Sequence, residues 1–219
     1  QVGFAILFQT VSQNNQAPWT TIDDIMVRNN LIKNSTQGAN LLDRFNSVPT
    51  NGTRRVAFVN NVFQDVGRDP NTGQKGAVFQ LLGAVQDIAM VNNTATASWG
   101  DVAKAVYFDG PAGLRTVIVN NVFPVTAYGI GGSGTGVGTA TLAKFAPGAV
   151  VAGNVLPLQA SKNYPASNFF PVAGAPVLFV NAAGGNFSLT SANSFYSGAL
   201  GLVGVNGANM SAQTAGVAW

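Results

Sequence analysis

A short apolar run that ends in a pair of asparagines recurs along the chain and limits its possible folds more than any other feature. Copies begin at Ile25, Val56, Ile88 and Val117, and a degraded copy ending in Gly-Asn begins at Val150. Successive copies are separated by 31, 32, 28 and 33 residues, measured at the second asparagine: Asn30, Asn61, Asn93, Asn121 and Asn154. A repeat of roughly 20–50 residues is typical of solenoids, in which each unit buries its apolar face against its neighbours.

A second apolar run lies between these copies. It occurs at residues 3–7, 38–42, 76–82 and 103–108. Each unit of about 30 residues therefore holds two or three short strands separated by Gly, Asn, Asp and Pro turns. No segment keeps an apolar period of about 3.6 residues, so we expect no long helix and only a short one from Thr139 to Phe145.

One strand of each type per unit predicts a coil that returns to stack on itself, with equivalent strands parallel and about 4.8 Å apart. The predicted fold is all-β: a right-handed parallel β-helix of five to six coils. We assign the coils to residues 1–160. Residues 161–219 are expected to form, within the same domain, a last coil or irregular cap and an uncharged tail. Buried Val, Ile and Phe side chains would each contribute roughly 1.5–3 kcal/mol.

The repeated asparagine has a physical reason of its own. A sharp bend between strands needs a residue that tolerates the left-handed region, and asparagine does so better than other residues except glycine. Stacked asparagine amides also hydrogen-bond along the axis as a ladder. We therefore predict a structural ladder of the five asparagines named above, with both the bend and the ladder assigned to the same residue.

Composition excludes several classes of function. Hydrophobic residues make up 47% of the chain and charged residues only 9%, with no His and no Cys. Eleven scattered bases give no nucleic-acid footprint, and disulfides, thiol chemistry and soft-metal sites are excluded. We expect no cofactor and no metal. No run of 18 apolar residues occurs, so no transmembrane segment is predicted.

Charge is also absent from one end of the chain. Residues 163–219 contain no ionisable side chain except Tyr164 and Tyr196. Interface cores are depleted of charge, so we expect a protein partner or self-association through residues 163–219.

Few residues suggest chemistry. Asp23-Asp24 is the only pair of adjacent carboxylates and is interpreted as a turn, while Asp65 and Asp69 are expected near arginines of a neighbouring coil. Residues 129–134 match a dinucleotide-binding glycine pattern, but no acid follows, so a closely packed loop is expected. Trp99 and Tyr107 are the best candidates for a platform that stacks on sugar rings, although packing under loops explains such residues more often.

Several segments resemble a known group of proteins. Residues 3–8, Phe79-Gln80-Leu81-Leu82-Gly83, the glycine-rich stretch 127–138 and Asn168-Phe169-Phe170-Pro171 are similar to right-handed parallel β-helix repeat proteins with a pectate-lyase-like fold. These are uncharacterised proteins, expected to be exported, of Acidobacteria-like bacteria. The resemblance covers about residues 1–200. It implies the C-terminal part of a longer protein that is extracellular, periplasmic or at the cell surface.

Two classes of function follow from these observations. The first is a non-catalytic exported scaffold, adhesion protein or accessory subunit that packs against other chains. The alternative is a polysaccharide-active protein, similar to a lyase or hydrolase, or a carbohydrate-binding β-helix. The scattered acids favour a role without catalysis, because both lyases and hydrolases need convergent carboxylates.

Overall fold

The computed structural model describes residues 3–45, 48–174, 177 and 179–190. Its strands stack almost entirely in parallel, so the chain forms a β-solenoid of about five turns. The predicted all-β class, the parallel stacking and the return of equivalent strands once per repeat are confirmed. Among the described residues, no helix combines the length and the apolar character needed to cross a bilayer.

Three parallel sheets run along the solenoid axis. The first sheet holds β1 (Phe4–Gln9), β5 (Gln37–Leu42), β8 (Ala77–Leu82), β12 (Lys104–Asp109) and β15 (Ile130–Gly132). The second holds β2 (Thr21–Ile22), β3 (Ile25–Arg28), β6 (Gly52–Val59), β9 (Gln86–Val91), β13 (Leu114–Val119) and β16 (Val150–Ala152). The third holds β4 (Leu31–Ser35), β7 (Val62–Val66) and β10 (Thr94–Thr96). The first two sheets contain the two predicted repeated runs.

The remaining elements connect or cover the coils. The short strands β11 (Asp101–Val102) and β14 (Val125–Thr126) pair in parallel. Helix α1 (Thr139–Phe145) has the predicted bounds and connects the first sheet to the second in the last full coil. The strands β17 (Phe179–Asn181) and β18 (Asn186–Leu189) form an antiparallel hairpin.

The interior is filled by apolar side chains in register from coil to coil. In the second sheet, Val27, Phe58, Met90, Ile118 and Val151 occupy one continuous row. Aromatic rings pack edge to face across the interior, with Phe79 contacting Phe58, Phe63 and Phe123 at centroid distances of 5.4, 5.0 and 6.5 Å. Such rows explain why a single coil cannot be stable alone.

The third sheet loses its regular strands toward the C-terminal end. It continues there as single parallel bridges that link Thr94, Val122, Val155 and Phe169. A proline follows two residues after each of the last three bridge residues, at Pro124, Pro157 and Pro171. Proline has no N–H to donate to the next coil, which explains why pairing stops.

The predicted C-terminal cap is described only in part. Residues 161–174, 177 and 179–190 are described, and the remainder of the uncharged tail, residues 191–219, lies outside the described residues. In the described part, Phe179 and Leu189 of the hairpin pack with Val122 and Val155 of the third sheet.

Candidate functional site

The asparagines that follow the second sheet form a continuous ladder, as the sequence predicts. In every step the backbone N–H and the side-chain Nδ2 of one asparagine both donate to Oδ1 of the asparagine in the next coil, at 2.9–3.1 Å. The side chains of Asn61, Asn93, Asn121 and Asn154 are fully buried or nearly so. We call this column the asparagine ladder; it comprises Asn30, Asn61, Asn93, Asn121, Asn154 and Asn168.

Each ladder amide also bonds the coil before it. Nδ2 of Asn61, Asn93, Asn121 and Asn154 donates at 2.7–2.9 Å to a carbonyl oxygen of the preceding coil. One side chain therefore connects three coils: its Nδ2 donates to a carbonyl of the preceding coil and to the asparagine Oδ1 of the following coil, and its own Oδ1 accepts from the preceding asparagine. Because these groups are buried, losing one asparagine leaves several polar atoms without a partner.

Asn168 is a sixth rung that sequence reasoning missed. Its Oδ1 accepts from the N–H and Nδ2 of Asn154, and its Nδ2 donates to the carbonyls of Val151 and Pro165. Asn168 follows Asn154 by only 14 residues, about half of the repeat. The available signal was the local pattern of Asn, two apolar residues and Pro, which Asn121, Asn154 and Asn168 share.

The bend belongs to the other asparagine of each pair. Asn29, Asn60, Asn92 and Asn120 have φ between 54° and 60°, and Gly153 takes this position in the last copy. Nδ2 of Asn60 donates to Oδ1 of Asn29 at 3.1 Å, and Nδ2 of Asn92 to Oδ1 of Asn60 at 2.9 Å. The expectation that one asparagine both bends the chain and forms the ladder is therefore wrong, because two adjacent residues divide these tasks.

A column of alternating charge lies near the start of the strands of the second sheet, at the opposite end of the strands from the ladder. The register of the sheet aligns Asp24, just before β3, with Arg55 of β6, Asp87 of β9 and Arg115 of β13, and that of β16 places Gly148 next. All five have φ between 52° and 76°. We call them the charged column.

The acids and arginines of the charged column pair between neighbouring coils. Arg55 donates from Nε and Nη2 to the two carboxylate oxygens of Asp24 at 2.6 and 2.8 Å, and its Nη2 also bonds Asp23 at 2.7 Å. Arg115 bonds Asp87 in the same two-pronged way. The interpretation of Asp23-Asp24 as turn residues is consistent with this placement, because Asp24 stands at a bend.

These ion pairs lower the pKa values of the two aspartates. The side-chain hydrogen bond from Arg115 lowers the pKa of the Asp87 carboxyl below its ordinary value, and burial opposes that shift. The hydrogen bond from Arg55 lowers the pKa of Asp24 in the same way. Both carboxylates are therefore held ionised, which suits a structural ion pair and not a general acid.

Among the described residues, neither Asp65 nor Asp69 forms the expected ion pair with an arginine of a neighbouring coil. Asp65 Oδ1 accepts from the backbone N–H of Ser98 at 2.8 Å, and Asp69 Oδ1 accepts from the N–H of Asn71 at 2.8 Å. The Asn71 hydrogen bond lowers the pKa of Asp69. Arginines 54 and 55 are instead engaged by Asp23 and Asp24. Asp69 thus stabilises its own turn, whereas Asp65 connects to the backbone of the next coil.

The two candidate sugar-stacking residues lie in different parts of the coil. Trp99 is in the turn between β10 and β11, is half-buried, and its indole Nε1 is buried without a hydrogen-bond partner. Tyr107 lies in β12 on the first sheet, with the Lys104 Nζ 4.6 Å from its ring centroid. A stacking role for either residue stays a prediction.

A groove of about 590 Å³ crosses three coils where the first sheet turns toward the second; we call it the polar groove after the charged side chains in its otherwise largely apolar lining. Its lining includes Asp43, Arg44, Gly83, Asp109 and Gly110. Asp43 is buried and accepts a 2.7 Å bond from Nε of Arg44, whereas Asp109 accepts from the Tyr107 hydroxyl at 3.1 Å. Among the described residues, no three acidic side chains converge to hold a metal ion. The groove offers hydrogen-bonding groups to a ligand.

An apolar groove of about 550 Å³ lies beside the third sheet, near the hairpin. Its floor is formed by successive coils through Pro124, Pro157 and Pro171, and Phe179 of the hairpin forms part of its wall. Its rim carries Val172, which is 69% exposed, and other apolar side chains such as Leu158. All of the residues that line it lack ionisable groups. This chemistry suits contact with another apolar surface and not with a charged ligand.

Comparison of the chain with family models, with curated proteins and with solved structures finds no match. The class of protein is therefore defined by the fold and the side-chain columns alone: a parallel β-solenoid held by an asparagine ladder.

Proposed function

We propose that this chain is a non-catalytic scaffold or accessory subunit that packs against another protein chain through the apolar groove. The supporting observation is the groove itself, which combines stacked prolines with exposed Val172 and Leu158 and is free of charge. Six of its sixteen lining residues come from 171–179, inside the charge-free stretch expected to form an interface. Exposed apolar patches of this kind are typical of surfaces that contact another protein.

The arrangement of the acids supports a role without catalysis. Asp24 and Asp87 are engaged by arginines of adjacent coils, and Asp101 by Lys75. A proposed location outside the cytoplasm, at the cell surface or in the periplasm, rests on the resemblance to exported β-helix proteins of Acidobacteria-like bacteria. The same resemblance supports the proposal that the chain is the C-terminal part of a longer protein.

Self-association through the groove is tested by light scattering over a range of concentrations. The wild-type chain is expected above the monomer mass, and Val172→Lys is expected to return it to the monomer because a buried ammonium costs several kcal/mol without a partner. Met26→Lys is the matched control, since Met26 is 50% exposed on the opposite end of the solenoid. A wild-type chain that is a monodisperse monomer at every concentration would contradict the groove as a self-association surface.

Carbohydrate binding is the second candidate and is favoured by the polar groove. Its carboxylates, the Arg44 guanidinium and the neighbouring Tyr107 hydroxyl offer donors and acceptors across three coils. Retention on immobilised pectins, alginates and glucans tests this candidate together with any lyase or hydrolase activity. Asp109→Asn should weaken retention, whereas Asp101→Asn, outside the groove, should not. Absence of both retention and product would exclude it for those polysaccharides.

A further inference from the structure

One lysine on the outer face of the first sheet is held in an unusual way. The Lys104 Nζ lies 4.6 Å from the ring centroid of Tyr107 and 5.2 Å from that of Tyr128. Within the part of the chain that the structure describes, no carboxylate forms an ion pair with it. The lysine is half-buried, so its charge has lost part of its hydration and gained only the faces of two rings.

The next coil provides the space that the side chain of this lysine occupies. Its stem crosses Gly131 of β15, where a Cβ atom would stand 3.3 Å from the Lys104 Cε and 3.5 Å from its Cδ. The equivalent outward positions of the preceding coils carry larger side chains, Asn40, Gln80 and Tyr107. Glycine at position 131 therefore makes room for the lysine to lie flat against the sheet.

Two hydroxyl groups and a second ammonium continue the same surface. The Tyr107 hydroxyl donates to Asp109 Oδ2 at 3.1 Å, and Ser133 Oγ lies 2.6 Å from that hydroxyl. Since the tyrosine proton is used on Asp109, the Ser133 hydroxyl donates to Tyr107. The Lys144 Nζ donates to the Ser133 carbonyl at 3.2 Å. The cluster has two ammonium groups and one carboxylate, so an excess positive charge is left.

We propose that Lys104, which Tyr107 and Ser133 connect to Lys144, binds an oxyanion group of a ligand on this face, next to the exposed ring of Tyr128. The ligand group would be a carboxylate, or a sulfate or phosphate ester. Each of these accepts hydrogen bonds from an ammonium group, and the Lys104 ammonium donates none to the residues that the structure describes. Tyr128 is 56% exposed and offers an apolar face to the rest of the ligand. This inference is independent of the apolar groove.

The desolvation of the lysine agrees with this assignment. Burial lowers the pKa of the Lys104 ammonium below its ordinary value. A bound anion would favour the charged form and reverse that shift, so the ligand and the proton are expected to bind cooperatively.

The test titrates the full chain with inorganic sulfate, inorganic phosphate and acetate while amide NMR shifts of residues 131–133 are followed. A saturable shift is expected, and Lys104→Met should weaken binding about tenfold or more, because it keeps the stem and removes a charge-assisted hydrogen bond. Lys33→Met is the matched control, since Lys33 is exposed in β4, on a different sheet. Tighter binding of acetate would assign a carboxylate ligand, and tighter binding of sulfate or phosphate an ester.

A second variant distinguishes a specific anion-binding site from nonspecific electrostatic attraction of anions. Gly131→Ala leaves every charge in place but displaces the stem of Lys104, so it should weaken binding while Lys33→Met leaves it unchanged. Urea unfolding of each variant verifies that the fold is kept. The proposal is overturned if no saturable shift occurs, or if Lys104→Met and Gly131→Ala bind the three anions as the wild-type chain does.

Discussion

The second sheet is bounded by two columns that meet the same backbone requirement with different chemistry. Near the start of its strands the charged column places Asp24, Arg55, Asp87 and Arg115 at left-handed positions, and after its strands the paired asparagines turn the chain. The ladder amides from Asn61 to Asn168 are buried, whereas the side chains of Arg115 and Asp24 are 59% and 71% exposed. A buried column needs neutral groups that satisfy one another, and an exposed column tolerates charge because water screens it.

The two columns should differ most in the free energy of unfolding that is lost when one of their members is removed. Asn121→Ala is expected to lower the free energy of unfolding by about 3 kcal/mol or more, because it removes the acceptor of both the buried Asn93 N–H and the Asn93 Nδ2. Chemical denaturation measures the loss.

Asn30→Ala is the matched control in the same column. Asn30 is exposed and donates to Asn61 at the end of the ladder, so its loss should amount to about 1 kcal/mol. Equal losses at Asn30 and Asn121 would show that burial does not set the strength of the ladder.

Acid should weaken the charged column and leave the ladder unaffected. The folded-state pKa values of Asp24 and Asp87 are below their ordinary values, so the unfolded chain binds more protons in this range. Their stabilisation is complete above an ordinary aspartate pKa of about 3.9 and is lost as the pH falls through the lowered values. Urea midpoints measured between about pH 6 and pH 2 should fall less for Asp87→Asn than for the wild-type chain.

A single ion pair should contribute less than a ladder rung. Arg115→Gln is expected to lower the free energy of unfolding slightly at low salt, by less than the loss of a buried asparagine, because exposed ion pairs contribute little. In about 1 M NaCl, where the Debye length is about 3 Å, most of this difference should vanish. A double-mutant cycle with Asp87→Asn isolates the pair, and a coupling energy independent of salt would refute the ionic explanation.

The smallest effect is expected at Gly148, where the alternation of charge stops. Space around this position is open, and aspartate already occupies equivalent left-handed positions at 24 and 87. Gly148→Asp should be more stable than the isosteric Gly148→Asn by roughly 0.2–0.5 kcal/mol at low salt, because only the first adds a carboxylate beside Arg115. A difference of the opposite sign would show that position 148 does not continue the column.

The sequence predicts the fold well because the residues that repeat along the chain are the residues that become buried. The spacing of Asn30, Asn61, Asn93, Asn121 and Asn154 specifies the coils, and the structure confirms both the stacking and the ladder. The charged column has the same spacings of 31 and 28 residues between Asp24 and Arg55 and between Asp87 and Arg115. Those spacings could have revealed it, but the alternation of opposite charges hides the repeat from a search for identical residues.

The candidate sites were less predictable for a physical reason. The polar groove and the environment of Lys104 depend on loops and outward side chains from three coils, and no periodic signal marks which of these lie together. The glycine-rich stretch illustrates this limit: it was expected to pack closely, yet the role of Gly131 in seating Lys104 depends on the register between β12 and β15.

The ladder has one more consequence, because the hydrogen bonds between its asparagines all point the same way. Each asparagine donates to the next one toward the C-terminal end and accepts from the one before it, so the column has a distinct head at Asn30 and a distinct tail at Asn168. A turn can be inserted or deleted without interrupting this polarity only as a complete module that begins and ends at equivalent asparagines. The length of such a molecule can therefore change only by whole turns, both in evolution and in protein design.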